Sequence, residues 1–314
     1  VTEVTPPGRP GPDGRPDRSG PSAAGRHGQG QPLHRPQGQP PVPPGRPLDT
    51  VGGRATERAL CVLAPNPSPM TLDGTNTWIV AEPDSELAVV IDPGPLDEAH
   101  LANVVATAER LGKRVALTLL THGHPDHAEG AARFAELTRT PVRALDPALR
   151  LGDEGLTAGD TVTTGGLELR VLPTPGHTAD SLSFQLPADA AVLTGDTVLG
   201  RGTTVVAYPD GRLGDYLDSL RRLQALTADG GVDTVLPGHG PVLADARGAV
   251  EFYLAHRAHR LAQVETAVES GLRTASEVVA HVYADVDRSL WPAAELSVHA
   301  QLDYLREHGL IELP

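Results

Sequence analysis

Of 314 residues, 39% carry apolar side chains and 21% are charged, enough for a packed core in one large domain with a smaller companion. The lone Cys61 excludes a disulfide framework and any cysteine-built zinc or iron-sulfur site. No run reaches the roughly 18 apolar residues that a membrane span needs, and the N-terminus lacks a basic-then-apolar leader, so the expected location is cytoplasmic.

The net charge of −14 averages two unlike regions. Residues 1–50 hold 13 prolines and nine glycines, with six arginines against Glu3, Asp13, Asp17 and Asp49, a net of +2. Such a stretch cannot bury enough apolar surface to offset chain entropy, and a disordered Pro- and Gly-rich arm is expected there. The remaining residues hold 20 basic and 36 acidic side chains, a net of −16.

From about residue 55 short β-branched runs alternate with helical spacing. Strands are predicted at 77–81, 87–91, 115–120, 167–172, 182–185, 191–194 and 234–236. Apolar residues three and four apart predict helices at 97–111, 128–137 and 215–226. Residues 51–244 therefore read as an α/β domain whose helices cover sheet faces.

Beyond Pro241 the strand-like runs stop. Helical patterns follow at 246–270, 274–283 and 293–308, with Thr274 and Glu277 spaced as a capping box and Gly309 as a helix stop. With the short apolar run 310–313, residues 245–314 suit a winged-helix appendage.

Chemistry concentrates in Thr121-His122-Gly123-His124-Pro125-Asp126-His127, directly after a predicted strand. Three histidines and an aspartate in six positions can converge on metal from a loop that no helix or strand period constrains. The bland alternative is that Asp126 and Glu129 only cap the next helix. Three more Gly-flanked sites continue the pattern: Pro175-Gly176-His177-Thr178, Thr194-Gly195-Asp196-Thr197 and Pro237-Gly238-His239-Gly240. Glycine lets backbone approach a crowded site. Together these segments supply seven nitrogen and oxygen ligands of the kind zinc takes. The eight other histidines, among them His100, His256, His259, His281 and His299, form no comparable constellation and read as surface or helix residues.

These motifs resemble the metallo-β-lactamase superfamily. The resemblance implies a four-layer αβ/βα sandwich with a metal cleft at one edge. His122, His124 and His177 match the first metal site, Asp126, His127 and His239 the second, and Asp196 the bridging carboxylate. Asp92, in Ile91-Asp92-Pro93-Gly94, matches an aspartate that supports ligands without binding metal, and Thr121 is expected to help Asp92 hold imidazoles in one tautomer.

Within the superfamily, Asp196 argues against antibiotic hydrolysis, because true lactamases of this fold typically have Cys or Ser there. His124 stands where flavodiiron proteins carry Glu, which argues against redox chemistry. The short spacing from Asp196 to His239 leaves no room for the inserted cap of the RNA-processing group. The stretch from Asn66 to Thr77, Gly238-His239-Gly240-Pro241-Val242 leading to His256-Arg257, and residues 293–298 resemble the lactamase-beta-2-like subfamily, a glyoxalase II-related group with a C-terminal winged helix.

The resemblance implies two zinc ions, with iron or manganese also suited to imidazole and carboxylate. A metal-bridging hydroxide would attack a thioester or ester, small or carried on an acyl-carrier protein, and Asp126 would act as its base. The alternatives are single-stranded RNA cleavage and a non-catalytic metal-binding interaction module. Residues 245–314 hold six arginines and eleven acids, a net of −5 that opposes phosphate binding; they read as a lid or wall over the cleft. No membrane partner is expected, and self-association into a homo-oligomer stays open.

Overall fold

A computed structural model of the chain describes residues 51–206 and 208–312, so the arm expected at 1–50 lies outside the described residues. The first sheet comprises β1 (Gly53–Arg54), β2 (Ala59–Leu63), β3 (Asn76–Val80), β4 (Leu87–Ile91), β5 (Arg114–Leu119) and β6 (Val142–Arg143), in that spatial order. The second comprises β7 (Thr161–Thr164), β8 (Leu167–Pro173), β9 (Leu182–Leu186), β10 (Ala191–Gly195) and β11 (Thr234–Pro237), in the order β11-β10-β9-β8-β7. Both sheets are mixed. β4 runs parallel to β5 through the crossover helix α1 (Glu98–Arg110). Between β5 and β6 lie α2 (Pro125–Ala128) and α3 (Ala131–Thr138), and between β10 and β11 lies α4 (Leu213–Ala228). Parallel neighbours need such crossovers, and that forces helices onto the sheet faces.

Alternation along the strands sorts the core into layers. Trp78, Val89, Ile91, Leu117 and Leu119 of the first sheet pack against Leu169, Val171, Phe184 and Leu193 of the second. The intervening Ile79, Ala88 and Val90 face outward onto Leu101, Val104 and Ala108 of α1 and Phe134 of α3. On the far side, Val192 and Val235 meet Tyr216, Leu220 and Leu223 of α4. Two sheets are thus sandwiched between helices, the layer order that the family resemblance implies.

Three C-terminal helices complete the described chain: α5 (Ala246–Glu269), α6 (Ala275–Val282) and α7 (Trp291–Glu307). The capping box of Thr274 and Glu277 opens α6, and Gly309, at φ 66°, ends α7. The first half of α5 packs Ala249, Val250 and Tyr253 against α4. Its second half joins Val278, Val282, Val298 and Leu305 in a separate small core.

Several local expectations are corrected. The helix predicted at 128–137 begins three residues later, as α3, and is separated from α2 at Gly130, whose N–H donates to Gly94 O at 3.0 Å instead of continuing the α2 ladder; a Cβ there would meet the carbonyl oxygens of Gly94 and Pro95 at 2.9 and 2.8 Å. Asp126 and Glu129 form no capping box; the α2 N-cap is His124, without a side-chain cap. Ile311, from the short apolar run at 310–313, fills the small C-terminal core. Among the described residues, no helix is long and apolar enough to cross a membrane.

Candidate metal centre

Five segments at the carboxyl ends of strands and the loops beyond them converge on one cluster. β5 delivers Thr121, His122 and His124; α2 carries Asp126 and His127; the turn after β8 carries His177; β10 ends beside Asp196; and β11 ends beside His239. All seven ligand-type side chains singled out in the sequence fall into three overlapping groups: His122–His124–His177, His122–His127–Asp196, and Asp126–His127–His239. In each group the donor atoms lie within 4.8 Å of one another.

The ring nitrogens point at common centres. His124 Nδ1 lies 3.1 Å from His122 Nε2 and 3.0 Å from His177 Nε2. His127 Nε2 lies 3.2 Å from His239 Nε2. Asp196 touches both sides: Oδ1 is 3.3 Å from His127 Nε2, while Oδ2 is 3.3 Å from His239 Nε2 and 3.7 Å from His177 Nε2. Its Oδ1 is buried and has no hydrogen-bond partner. An orphaned carboxylate oxygen among converging imidazole nitrogens is the donor set a divalent cation satisfies.

The far side of four of the five rings is fixed by the protein. Asp92, buried in the left-handed region at φ 52°, accepts from Thr121 N at 2.8 Å and Thr121 Oγ1 at 2.7 Å, and from His127 Nδ1 at 2.8 Å. Aspartate tolerates that backbone better than most residues. With its proton committed to Asp92, Thr121 Oγ1 accepts from His122 Nδ1 at 2.9 Å, which leaves the lone pair on Nε2 facing the cluster. His177 Nδ1 donates to Val205 O at 2.6 Å, and His239 Nδ1 to Gly74 O at 3.1 Å.

Two glycines make the crowding sterically feasible. A Cβ on Gly195, at φ 48°, would lie 2.6 Å from Thr121 Oγ1. One on Gly238 would lie 2.5 Å from Asp196 Oδ1 and 2.8 Å from His127 Cε1.

Protons divide the cluster electrostatically. Burial, together with the neighbouring His127 and His177 rings, holds His122 well below the usual histidine range. Burial also pushes His177 down to about 4 against the pull of Asp196. On the other side burial is outweighed: Asp196, Asp126 and Asp92 hold His127 well above its ordinary value, and Asp196 and Asp126 lift His239 to about 9. Asp126, despite burial, is lowered to about 2 by His127 and His239, and Asp196 is likewise held well below the carboxylate range. Without a cation the second group is therefore compensated by protons on imidazole.

Some participants carried no role in the sequence reading. Asn66 binds Thr75 twice, Nδ2 donating to Thr75 Oγ1 at 3.0 Å and Oδ1 accepting from Thr75 N at 2.9 Å; Thr75 Oγ1 donates to Asp126 Oδ2 at 3.1 Å. Tyr216 Oη donates to Thr197 O at 2.7 Å, and Tyr253 Oη accepts from Leu199 N at 2.8 Å, pinning the loop after Asp196. The Tyr253 hydroxyl reaches a backbone 54 residues away, and such a contact has no local signal in the sequence. Of the other histidines, His100 is buried, with Nε2 3.0 Å from Thr77 Oγ1, while His256 is half-buried and stacked on Phe252.

Residues 70–239 match the family model described as metallo-beta-lactamase superfamily, and residues 274–312 that of the beta-lactamase associated winged helix domain. A beta-lactamase-like protein 2 homolog of Caenorhabditis elegans is 31% identical over 63% of this chain and 67% of its own. An atrochrysone carboxyl ACP thioesterase of Aspergillus chevalieri is 32% identical over 66% of this chain and 64% of its own. Across such curated relatives the matched part of the chain spans about three fifths to two thirds of their length. A solved beta-lactamase domain protein from Burkholderia ambifaria superposes with a TM-score of 0.72 over 83% of this chain and 91% of its own; at 24% identity this speaks to the fold.

Proposed function

We propose, since the chain belongs to the metallo-beta-lactamase superfamily, that it is a metal-dependent hydrolase that holds two divalent cations, zinc foremost, and hydrolyses a thioester or ester, best supported for an acyl group on a carrier. His122, His124 and His177 would hold one cation, Asp126, His127 and His239 the other, and Asp196 would span them. The observation that carries this reading is the convergence of seven ligand-type side chains, with the unpartnered Asp196 Oδ1 in their midst. The relative named as a carrier-protein thioesterase supports the substrate class.

Cations in these positions supply Lewis acidity toward a carbonyl oxygen and acidify water. The chain's own residues do the rest. Asp126 is the most exposed carboxylate of the cluster, its side chain 27% accessible against 11% for Asp196 and 2% for Asp92. Ionised at neutral pH and aimed by Thr75, it would orient an attacking water and accept its proton. Asp92 and Thr121 would keep His127 and His122 presenting Nε2 inward.

Residues 51–244 carry every member of the cluster, and residues 245–314 are assigned a supporting module. The −5 charge of that module weighs against a polyanionic substrate. The test is parallel hydrolysis of acyl thioesters and labelled single-stranded RNA by the zinc-loaded chain, with His122→Ala and Asp126→Ala as controls. Thioester cleavage lost in both variants is the expected result. RNA cleavage lost in both, with thioesters untouched, overturns the substrate assignment.

A further inference from the structure

His177 owes its orientation to a segment that the C-terminal helices hold. Its Nδ1 lies 2.6 Å from Val205 O and 3.2 Å from Thr204 Oγ1, so residues 204–206 fix which nitrogen faces the cluster. That segment is tied down from outside the sheet domain. Arg257 of α5 donates from Nη2 to Thr204 O, and Ser297 of α7 accepts from Val206 N at 3.3 Å.

Arg257 is unusual in its own right. It is 5% exposed and makes no ion pair among the described residues; its guanidinium carbon sits 4.9 Å from the Tyr216 ring centroid, and its Nε is buried without a partner. A buried guanidinium without a carboxylate is costly, and an apolar side chain of similar length would fill the space at lower cost. Packing alone therefore gives no reason for arginine here, whereas the Thr204 carbonyl does. Tyr216 in turn holds Thr197 O, next to Asp196.

We propose that Arg257 and Ser297 are positioning residues through which the C-terminal helices set the affinity of the His122–His124–His177 group for its cation. The effect runs through Thr204, Val205 and the His177 ring, which belongs to the His122–His124–His177 group and not to Asp126–His127–His239. That second group draws its outer hydrogen bonds from Asp92 and Gly74 instead. This inference rests on the two-cation reading above.

The experiment is equilibrium zinc binding by the full chain against a competing chelator, comparing wild type, Arg257→Met, Ser297→Ala, His177→Ala and the Arg257→Met/His177→Ala double variant. The melting temperature of each metal-free protein is recorded alongside. Removing a direct hydrogen-bond partner of a ligand typically costs about 10–100-fold in metal affinity, and Arg257 and Ser297 act one bond further out, at the lower end of that range. Arg257→Met should weaken one of two zinc equivalents by about tenfold and leave the other within twofold, and Ser297→Ala should weaken the same equivalent less. In the double variant, Arg257→Met should add nothing to the loss from His177→Ala. Unchanged affinity in Ser297→Ala and Arg257→Met, or equal weakening of both equivalents, overturns the inference while the metal-centre reading stands. Should Arg257→Met fail to fold, Ser297→Ala decides alone. A wild-type chain binding fewer than two equivalents defeats both.

Discussion

Asp92 Oδ2 stands 2.8 Å from His127 Nδ1, and the same carboxylate receives both the backbone N–H and the hydroxyl of Thr121. One aspartate in a left-handed conformation thus connects the end of β4 to two histidines of the cluster, one directly and one through Thr121. Asp92→Ala should leave Thr121 and His127 without their acceptor and weaken zinc binding by about 10–100-fold, measured by chelator competition. An Asp92→Ala chain with native zinc affinity would show that the rings are held by packing alone.

Gly238→Ala tests the steric argument. The added Cβ would lie 2.5 Å from Asp196 Oδ1 and 2.8 Å from His127 Cε1, so the carboxylate or the ring must move. The expected result is loss of zinc and activity together, with destabilisation of about 1–3 kcal/mol in urea titration, the usual range for overpacking.

Thr75→Val is close to isosteric but removes the hydroxyl that aims Asp126 Oδ2 and receives Asn66 Nδ2. Hydrogen bonds to charged groups contribute about 1.5–3 kcal/mol, so kcat should fall by roughly ten- to a hundredfold while zinc content stays at the wild-type level. If kcat is unchanged, Thr75 serves the loop and not the carboxylate.

The proton on His239 makes zinc binding pH-dependent. Its pKa is lifted to about 9 because Asp196 and Asp126 outweigh burial, so at neutral pH a cation must displace that proton. Affinity at the second group should rise with pH through about 9, with proton release visible when binding heats are compared in buffers of different ionisation enthalpy. The sign for folding is opposite. In the metal-free chain the raised pKa adds stability that is complete below 6.5 and is lost as pH climbs through 9.

His256 gives an acid-side counterpart away from the cluster. Burial, with Arg257, Arg260 and His259 nearby, pushes it down to about 4, and its buried Nδ1 has no partner. The unfolded chain takes a proton near 6.5 that the folded chain refuses until about 4, so stability falls across that window as pH drops. His256→Gln should flatten this part of the stability profile relative to wild type, as read from denaturant midpoints.

Periodicity located β4, β8, β9 and all three C-terminal helices to within two residues, because each buries a mainly apolar face. It did not reveal β1 and β6, two-residue strands that exist only through pairing with β2 and β5. Nor did it find the break at Gly130, which answers to carbonyls more than thirty residues earlier. The cluster was legible for a different reason. Histidine and aspartate packed so densely between glycines have few uses besides metal, and four such segments at strand ends pointed to one place.

The amino-acid sequence by itself determined the chemistry available: which side chains could donate to a cation, that the fold is α/β with a helical C-terminus, and that an acidic body disfavours polyanions. Tertiary structure decided which nitrogen each ring presents, which carboxylate is exposed enough to handle a proton, and that Arg257 and Ser297 reach the segment behind His177. The division is physical. Ligand identity is a property of single residues, whereas a ring's orientation depends on the atom behind it, and here those atoms are 28 residues away for His177, 35 for His127 and 165 for His239.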